Sequence, residues 1–356
     1  MKAWRLEKLG GALTFEDLPL PKVRPHSVLI RMEAVPLLSY LKDYAGGKLP
    51  SYSAPAHKFT PGTNGVGVIE AVGGEVWQLK VGQRVVFSPY LVAAENVDEP
   101  EQILIGLTSM GPGSAPLQAD WPDGTLAQFA LAPVSTVTPV KGLERMSAAQ
   151  LAVLNRAIVP FGGLLRGRLG AGETLVVNGA TGAYGTAAVL LGIAMGTARV
   201  VAAGRNAAVL EALVKAAGPR VAAVQLTGEV AADAAKLREA CGGGAEIAFD
   251  MVGRAGDANA TLAALKSLRR GGRLVLMGSM TTPLPLSYGE IMRNNWEIIG
   301  QFMYPAGAYR SLLGLVRAEL LDLKPIRALQ FPLEALSAAM DAAANATNLE
   351  CVVVEP

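Results

Sequence analysis

Cysteine and histidine are nearly absent from the chain, with two of each in 356 residues. Cys241 and Cys351 stand apart with no C-x-x-C spacing, which excludes a disulfide framework and a zinc site built on cysteine pairs. His26 follows Pro25 in a predicted turn, and His57 lies in a predicted loop at 53–58. Charge is sparse as well. Charged side chains are 17% of the residues and the formal net charge is +2. Arg166, Arg168, Arg269 and Arg270 are local pairs rather than a basic face, which excludes a surface built to track nucleic-acid phosphates. The opening M-K-A-W-R-L-E is charged and strand-like, without the apolar core of a signal peptide, so a cytoplasmic location is expected. One long uncharged run, 174–198, has the length of a bilayer span. Asn178, Thr181 and five glycines interrupt it, and its periodicity changes at Gly179. A buried segment is expected there, with no membrane partner.

What the chain does have is apolar residues, 51% of the total, and a length that suggests two domains. The uncharged run is also the most informative stretch. Residues 174–178 are a β-branched apolar strand, and a turn punctuated by Gly179, Gly182 and Gly185 follows. A small-residue helix at 186–195 and a second apolar strand at 199–203 complete the unit. Strand, glycine turn, helix, strand is the arrangement that binds dinucleotides. The first glycine lets the chain leave the strand sharply. The second removes a Cβ where a pyrophosphate approaches, and the third lets the helix pack close to the sheet. Thr181 lies inside the turn, and the N–H groups of Ala183, Tyr184 and Gly185 face the anion. The spacing is G-x-x-G-x-x-G rather than G-x-G-x-x-G, so the flanking strand and helix carry the assignment.

The end of the second strand selects the cofactor. NAD sites place Asp or Glu there for the ribose 2′-hydroxyl, whereas NADP sites lack the acid and supply a base. This chain has Ala203-Gly204-Arg205-Asn206, with no carboxylate before Glu211. Arg205 can fork onto a 2′-phosphate, Asn206 adds a donor and Gly204 leaves room. NADP(H) is the expected cofactor.

The rest of the chain divides around this core. Residues 1–150 read as β-rich, with short apolar runs at 3–6, 28–35, 66–72, 84–88 and 126–132 between Pro/Gly turns. Residues 89–124 read as a long polar loop. A helix is expected at 147–168, capped by Ser147 and interrupted at Pro160. From 151 to 300, strands at 221–226, 247–252 and 273–278 alternate with helices at 207–217, 231–241 and 257–268. The fold class is therefore α/β, with a doubly wound parallel sheet. Ligands sit at the carboxyl ends of such strands, which singles out Met251, Val252, Gly278 and Ser279. Residues 301–356 hold two amphipathic helices and a final strand at 351–354.

An ordered series of motifs then resembles the medium-chain dehydrogenase/reductase superfamily over nearly the full length. It runs Pro61-Gly62, Gly67-Val68-Ile69-Glu70-Ala71-Val72-Gly73, Val81-Gly82-Gln83-Arg84-Val85, Gly124-Thr125-Leu126-Ala127-Gln128-Phe129, Gly172-Glu173, Asp250-Met251-Val252-Gly253 and Gly271-Gly272-Arg273. The resemblance implies a GroES-like catalytic domain at 1–150, returning at 301–356, around a Rossmann cofactor domain at 151–300. It also implies a homodimer formed through the strand at 296–302.

The departures from the family are specific. Its zinc alcohol dehydrogenases take ligands from segments matching Leu37-Leu38-Ser39-Tyr40, Gly62-Thr63-Asn64 and Leu154-Asn155. None of these holds Cys, His or Asp, and 89–124 lacks the cysteines of a second zinc lobe. A catalytic zinc needs three N, S or carboxylate ligands. The chain therefore resembles the zinc-independent quinone oxidoreductase and enoyl reductase branches. Without a Lewis acid, hydrogen-bond donors must stabilise the charge that develops on a carbonyl. The candidates stand where zinc ligands would be: Tyr40, Thr63, Asn64 and Asn155, with Ser39, Tyr44 and Tyr52 nearby. Leu37, Leu38, Ile158 and Phe302 would suit an apolar carbonyl, enone or quinone substrate. Two alternatives stand beside this reading: a zinc alcohol dehydrogenase with other ligands, and a non-catalytic NADPH-binding sensor or structural protein.

Overall fold

The computed structural model describes residues 1–356. The chain forms two compact units, Met1–Asn155 with Arg327–Ala346 and Glu350–Pro356, and Arg156–Ile326 with Thr347–Leu349.

The first unit is built on a seven-stranded sheet. Its spine is Ser27–Pro36, ten residues buried along most of their length. This strand pairs antiparallel with Gly65–Val72 and Phe129–Pro133. Beyond them lie Arg84–Phe87 and Val137–Pro139. On the other side Val353 and Val354 of Glu350–Glu355 pair with Pro36 and Val35. Glu350–Glu355 in turn runs parallel to Arg327–Pro332, across the helix Leu336–Asn345. Burial of Ile30, Met32, Ile69, Phe87 and Val352 to Val354 supplies the core. Residues 89–124 are more ordered than a polar loop. Tyr90–Val92, Gln102–Leu104 and Thr108–Ser109 form a three-stranded sheet, because Leu91, Ile103, Ile105 and Leu107 bury their side chains.

In the second unit we label strands and helices in chain order: β1 Thr174–Asn178, α1 Ala183–Ala194, β2 Arg199–Gly204, α2 Ala207–Ala217, β3 Val221–Gln225, α3 Val230–Ala240, β4 Ala245–Asp250, α4 Asn259–Lys266, β5 Leu268–Leu276, α5 Tyr288–Asn294, β6 Glu297–Gly300 and α6 Ala308–Arg317. The six strands are parallel in the order β3-β2-β1-β4-β5-β6. Helices on both faces explain why β1, β2 and β4 read as continuous apolar runs rather than alternating ones. Strand order reverses between β1 and β4, so a crevice opens there at the carboxyl ends of the strands.

Two expectations need correction. The second unit continues to Ile326 rather than ending at 300. Tyr309, Leu312, Leu313 and Val316 bury one face of α6, and Gly162 leaves room for the Met303 carbonyl, which a Cβ would meet at 2.3 Å. The helix after Ser147 does not break at Pro160. Ser147 and Gln150 form a capping box for Ala148–Ala152, the interruption falls at Val153, and Leu154–Arg166 runs through Pro160. Losing one backbone bond costs about 3 kcal/mol, which burial of Ile158, Phe161 and Leu164 offsets.

Candidate functional site

The crevice at the strand reversal is a cleft of about 420 Å³. Gly179, Thr181, Gly182, Gly204, Arg205, Met251 and Val252 all line it. At the end of β1 the chain turns through Gly179 at φ +79°, and Gly182 is the N-cap of α1. Ala183, Tyr184 and Gly185 are therefore the first three helical residues, and their N–H groups belong to the open first turn. A Cβ at Gly185 would fall 2.1 Å from the Gly179 carbonyl oxygen, so the turn and the helix close on each other only with glycine there. Gly278 plays the same part across the floor, where a Cβ would lie 2.0 Å from the Val252 carbonyl oxygen. Gly278 thus backs the cleft wall, and neither it nor Ser279 is among the residues that line the cleft.

Polar groups beneath the cleft fix its shape. Asn178 and Asp250 are register partners at the ends of β1 and β4. The Asn178 amide donates to Asp250 Oδ2 at 2.9 Å, and Val252 N–H donates to Asp250 Oδ1 at 2.9 Å. Burial raises the Asp250 carboxyl above its ordinary pKa, with these donors working against that shift. The opposite wall, Leu226 to Gly228, hangs on Asp233. Burial opposes the Asp233 charge, yet its pKa is lowered because Thr227 N–H, Gly228 N–H and the Thr227 hydroxyl all donate to it. The Asn259 amide also holds the Gly228 carbonyl at 3.0 Å.

Sequence reasoning missed this wall and the loop after β4, where Arg254 and Asp257 line the cleft. The signals were present: an Asp on a predicted helix six residues after Thr227, and a base following Met251-Val252-Gly253. Asp257 turns its Oδ1 to the Asn259 N–H, and no carboxylate stands at the end of β2. Arg205 is exposed at the rim. Asn206 does not line the cleft. It is the N-cap of α2, and its Oδ1 accepts from Val209 N–H at 3.2 Å.

The four remaining candidates lie in the first unit. Thr63 and Asn64 are buried, and the Thr125 hydroxyl reaches both of their carbonyl oxygens at 3.2 Å. Tyr40 begins the helix Leu41–Ala45 and packs against Tyr52 with ring centroids 5.9 Å apart. Asn155 is buried. Tyr44 is unsuited to proton transfer. Its hydroxyl donates to the Leu107 carbonyl, and burial raises its pKa far above the ordinary phenol value.

The donor set does not fit a catalytic zinc. Nowhere do three His, Cys, Asp or Glu side chains come together to hold a metal ion. In the segments concerned Leu38 and Leu154 are buried hydrocarbon, and Thr63 and Asn155 are buried polar residues that are not metal ligands of the N, S or carboxylate type. His26 is paired with Glu75 at the surface at 2.7 Å, and His57 is exposed. Cys241 and Cys351 are buried and form no disulfide.

Comparison with known proteins supplies the family context. The model described as an alcohol dehydrogenase GroES-like domain matches residues 24–142, and the model described as a zinc-binding dehydrogenase matches residues 183–318. Sorbitol dehydrogenase of Bacillus subtilis is 27% identical over 344 residues, covering 96% of this chain and 93% of that protein. A putative D-xylulose reductase of Agrobacterium fabrum is 26% identical, with each chain covered completely. Among solved structures, 2R,3R-butanediol dehydrogenase from Bacillus subtilis has a TM-score of 0.80 at 19% identity, covering 100% of this chain and 99% of that one.

Proposed function

Because the chain belongs to the medium-chain dehydrogenase/reductase superfamily, and is thus an oxidoreductase with a nicotinamide cofactor, we propose that it uses NADP(H) without a catalytic zinc to reduce a small carbonyl, enone or quinone. The observation that carries this reading is the donor set: hydroxyl and amide side chains stand where the family's zinc ligands would be, and no metal-ligating cluster exists elsewhere. The carboxylate-free end of β2, with Arg205 at the cleft rim, supports NADP(H).

Bound NADPH supplies the hydride. The turn around Gly179 and Gly182 and the first turn of α1 would hold the pyrophosphate, and Arg205 would take the 2′-phosphate. Thr63, Asn64 and Asn155 are the proposed donors to the substrate oxygen. The Thr125 hydroxyl fixes the carbonyls of the first two, so that turn is preorganised. The Tyr40 hydroxyl is the proposed proton source.

The test is NADPH oxidation against enones, quinones and aldehydes, with metal content measured on the same sample. Turnover that survives strong chelators in protein lacking stoichiometric zinc is expected. Stoichiometric zinc, with activity lost on its removal, would refute the reading. The sorbitol dehydrogenase and D-xylulose reductase similarities favour a second one, reversible oxidation of polyols, which NADP⁺ reduction by a polyol panel reads directly. We also propose a homodimer through β6, which pairs only with β5 and leaves an open sheet edge that exposed Phe302 follows in the chain. A sedimentation mass of one chain at micromolar concentration would exclude it.

A further inference from the structure

Gly204 ends β2 with its Cα against the side chain of Thr181. A Cβ added at Gly204 would lie 2.6 Å from Thr181 Cγ2, 3.1 Å from its Oγ1 and 3.5 Å from its Cβ. The first distance is a collision, the second is tight, and the third is ordinary contact. Two of the three staggered positions around the Thr181 Cα–Cβ bond therefore face Gly204 at 3.1 Å or less. Threonine fills two of those three positions with heavy atoms, so every rotamer leaves at least one heavy atom against the new Cβ.

The backbone on either side is held in place. Ala180 N–H donates to the Ala203 carbonyl at 2.9 Å, Gly182 N–H to that of Gly179 at 3.0 Å, and Leu226 N–H to that of Gly204 at 2.9 Å. Both residues line the cleft, and position 204 is the strand end at which an acid reads a free ribose 2′-hydroxyl.

We propose that Thr181 is a specificity-determining residue: its side chain crowds position 204 against any side chain, so the acid that would select NADH fits poorly there while Thr181 stays. Cofactor choice is then a property of the pair. Thr181 and Gly204 disfavour a carboxylate at the site, and Arg205 adds the favourable contact to the phosphate. The inference rests on the NADP(H) reading above. It makes a prediction that the reading alone does not, namely that Gly204→Asp by itself is a poor converter.

The experiment compares wild type, Thr181→Ala, Gly204→Asp and the double variant. NADPH and NADH are titrated by fluorescence, and thermal unfolding is measured without cofactor. Gly204→Asp alone is expected to melt lower than wild type and to bind NADH at least tenfold more weakly than the double variant. The double variant is expected to regain the melting temperature and to prefer NADH, while Thr181→Ala alone keeps its preference for NADPH. Gly204→Asp melting like wild type and binding NADH as tightly as the double variant would overturn the proposal. If Gly204→Asp does not fold, Gly204→Ala with and without Thr181→Ala reads the same contact, as non-additive melting temperatures. Additive ones would overturn it. Wild type binding both cofactors equally would sink the NADP(H) reading instead, and the coupling of 181 to 204 would still be decided by the melting data.

Discussion

The cleft of the second unit is shaped mainly by backbone, whereas the candidate residues of the first unit are side chains on a buried turn. Around the cleft, Gly185 and Gly278 let backbone approach backbone at distances that no Cβ would permit, and Gly179 turns the chain at φ +79°. In the first unit the turn at Thr63 and Asn64 is fixed through its carbonyls by Thr125, and its two polar side chains are buried. A backbone surface recognises something common to every cofactor molecule and tolerates almost no substitution. A side-chain surface on a fixed turn can exchange metal ligands for hydroxyl and amide donors while the strands beneath it keep their pairing. That contrast suits a chain that shares the fold of zinc dehydrogenases while no three His, Cys, Asp or Glu side chains gather to hold a metal ion.

The contrast breaks hardest at Gly185. Gly185→Val sets a Cβ 2.1 Å from the Gly179 oxygen, which should cost about 3 kcal/mol or more and abolish measurable NADPH binding. A wild-type melting temperature with normal cofactor titration would contradict it. On the side-chain surface, Asn64→Ala should leave the melting temperature and NADPH affinity near wild type while kcat falls about a hundredfold. Equal losses of kcat and NADPH affinity would show instead that Asn64 shapes the fold.

Asp233→Ala tests a wall of the backbone cleft that hangs on a side chain. Thr227 and Gly228 lose their shared acceptor, for about 2 kcal/mol of stability and weaker NADPH binding. The Asp233 pKa is depressed in the folded state relative to the ordinary value of 3.8. Its contribution is therefore present above that value and is lost as pH falls through the folded one. Melting temperatures of the two proteins should differ at pH 7 and converge below about pH 4. A constant gap across that range would rule out the charge as the source. The smallest expected effect belongs to Arg205→Ala. NADPH binding should weaken about tenfold, close to 1.4 kcal/mol, with NADH binding nearly unchanged. Equal weakening of both cofactors would make Arg205 a general surface charge.

The same division governs what the sequence could reveal. Strand, turn, helix and strand over 174–206 were legible because glycine spacing reports steric necessity, and the observed β1, α1 and β2 lie where that pattern places them. The parallel order followed from apolar runs separated by helix-length segments. Asn206 was harder, since an Asn after a strand serves equally as a ligand donor or as an N-cap, and only geometry shows the cap on Val209. The wall held by Asp233 was hidden because a buried carboxylate on a helix looks like a solvated one in sequence. The small sheet within 89–124 was hidden because its strands are of two or three residues, too short to show a period. The 300 boundary failed because α6 is as amphipathic as any catalytic-domain helix, and its partner is a tertiary fact.

The pairing of Val353 and Val354 with Pro36 and Val35 bears on how the protein is made. Synthesis runs from the amino end, and domains generally fold as they emerge. Here Ser27–Pro36 is made well before its partner, and one flank waits for more than three hundred further residues before Glu350–Glu355 arrives. Nearly all of the second unit, 156–326, is made within that interval. The earlier-made unit is therefore completed after the later one, and the flank beside Ser27–Pro36 stays open to chaperones, or to a neighbouring nascent chain, until Glu350–Glu355 has emerged from the ribosome.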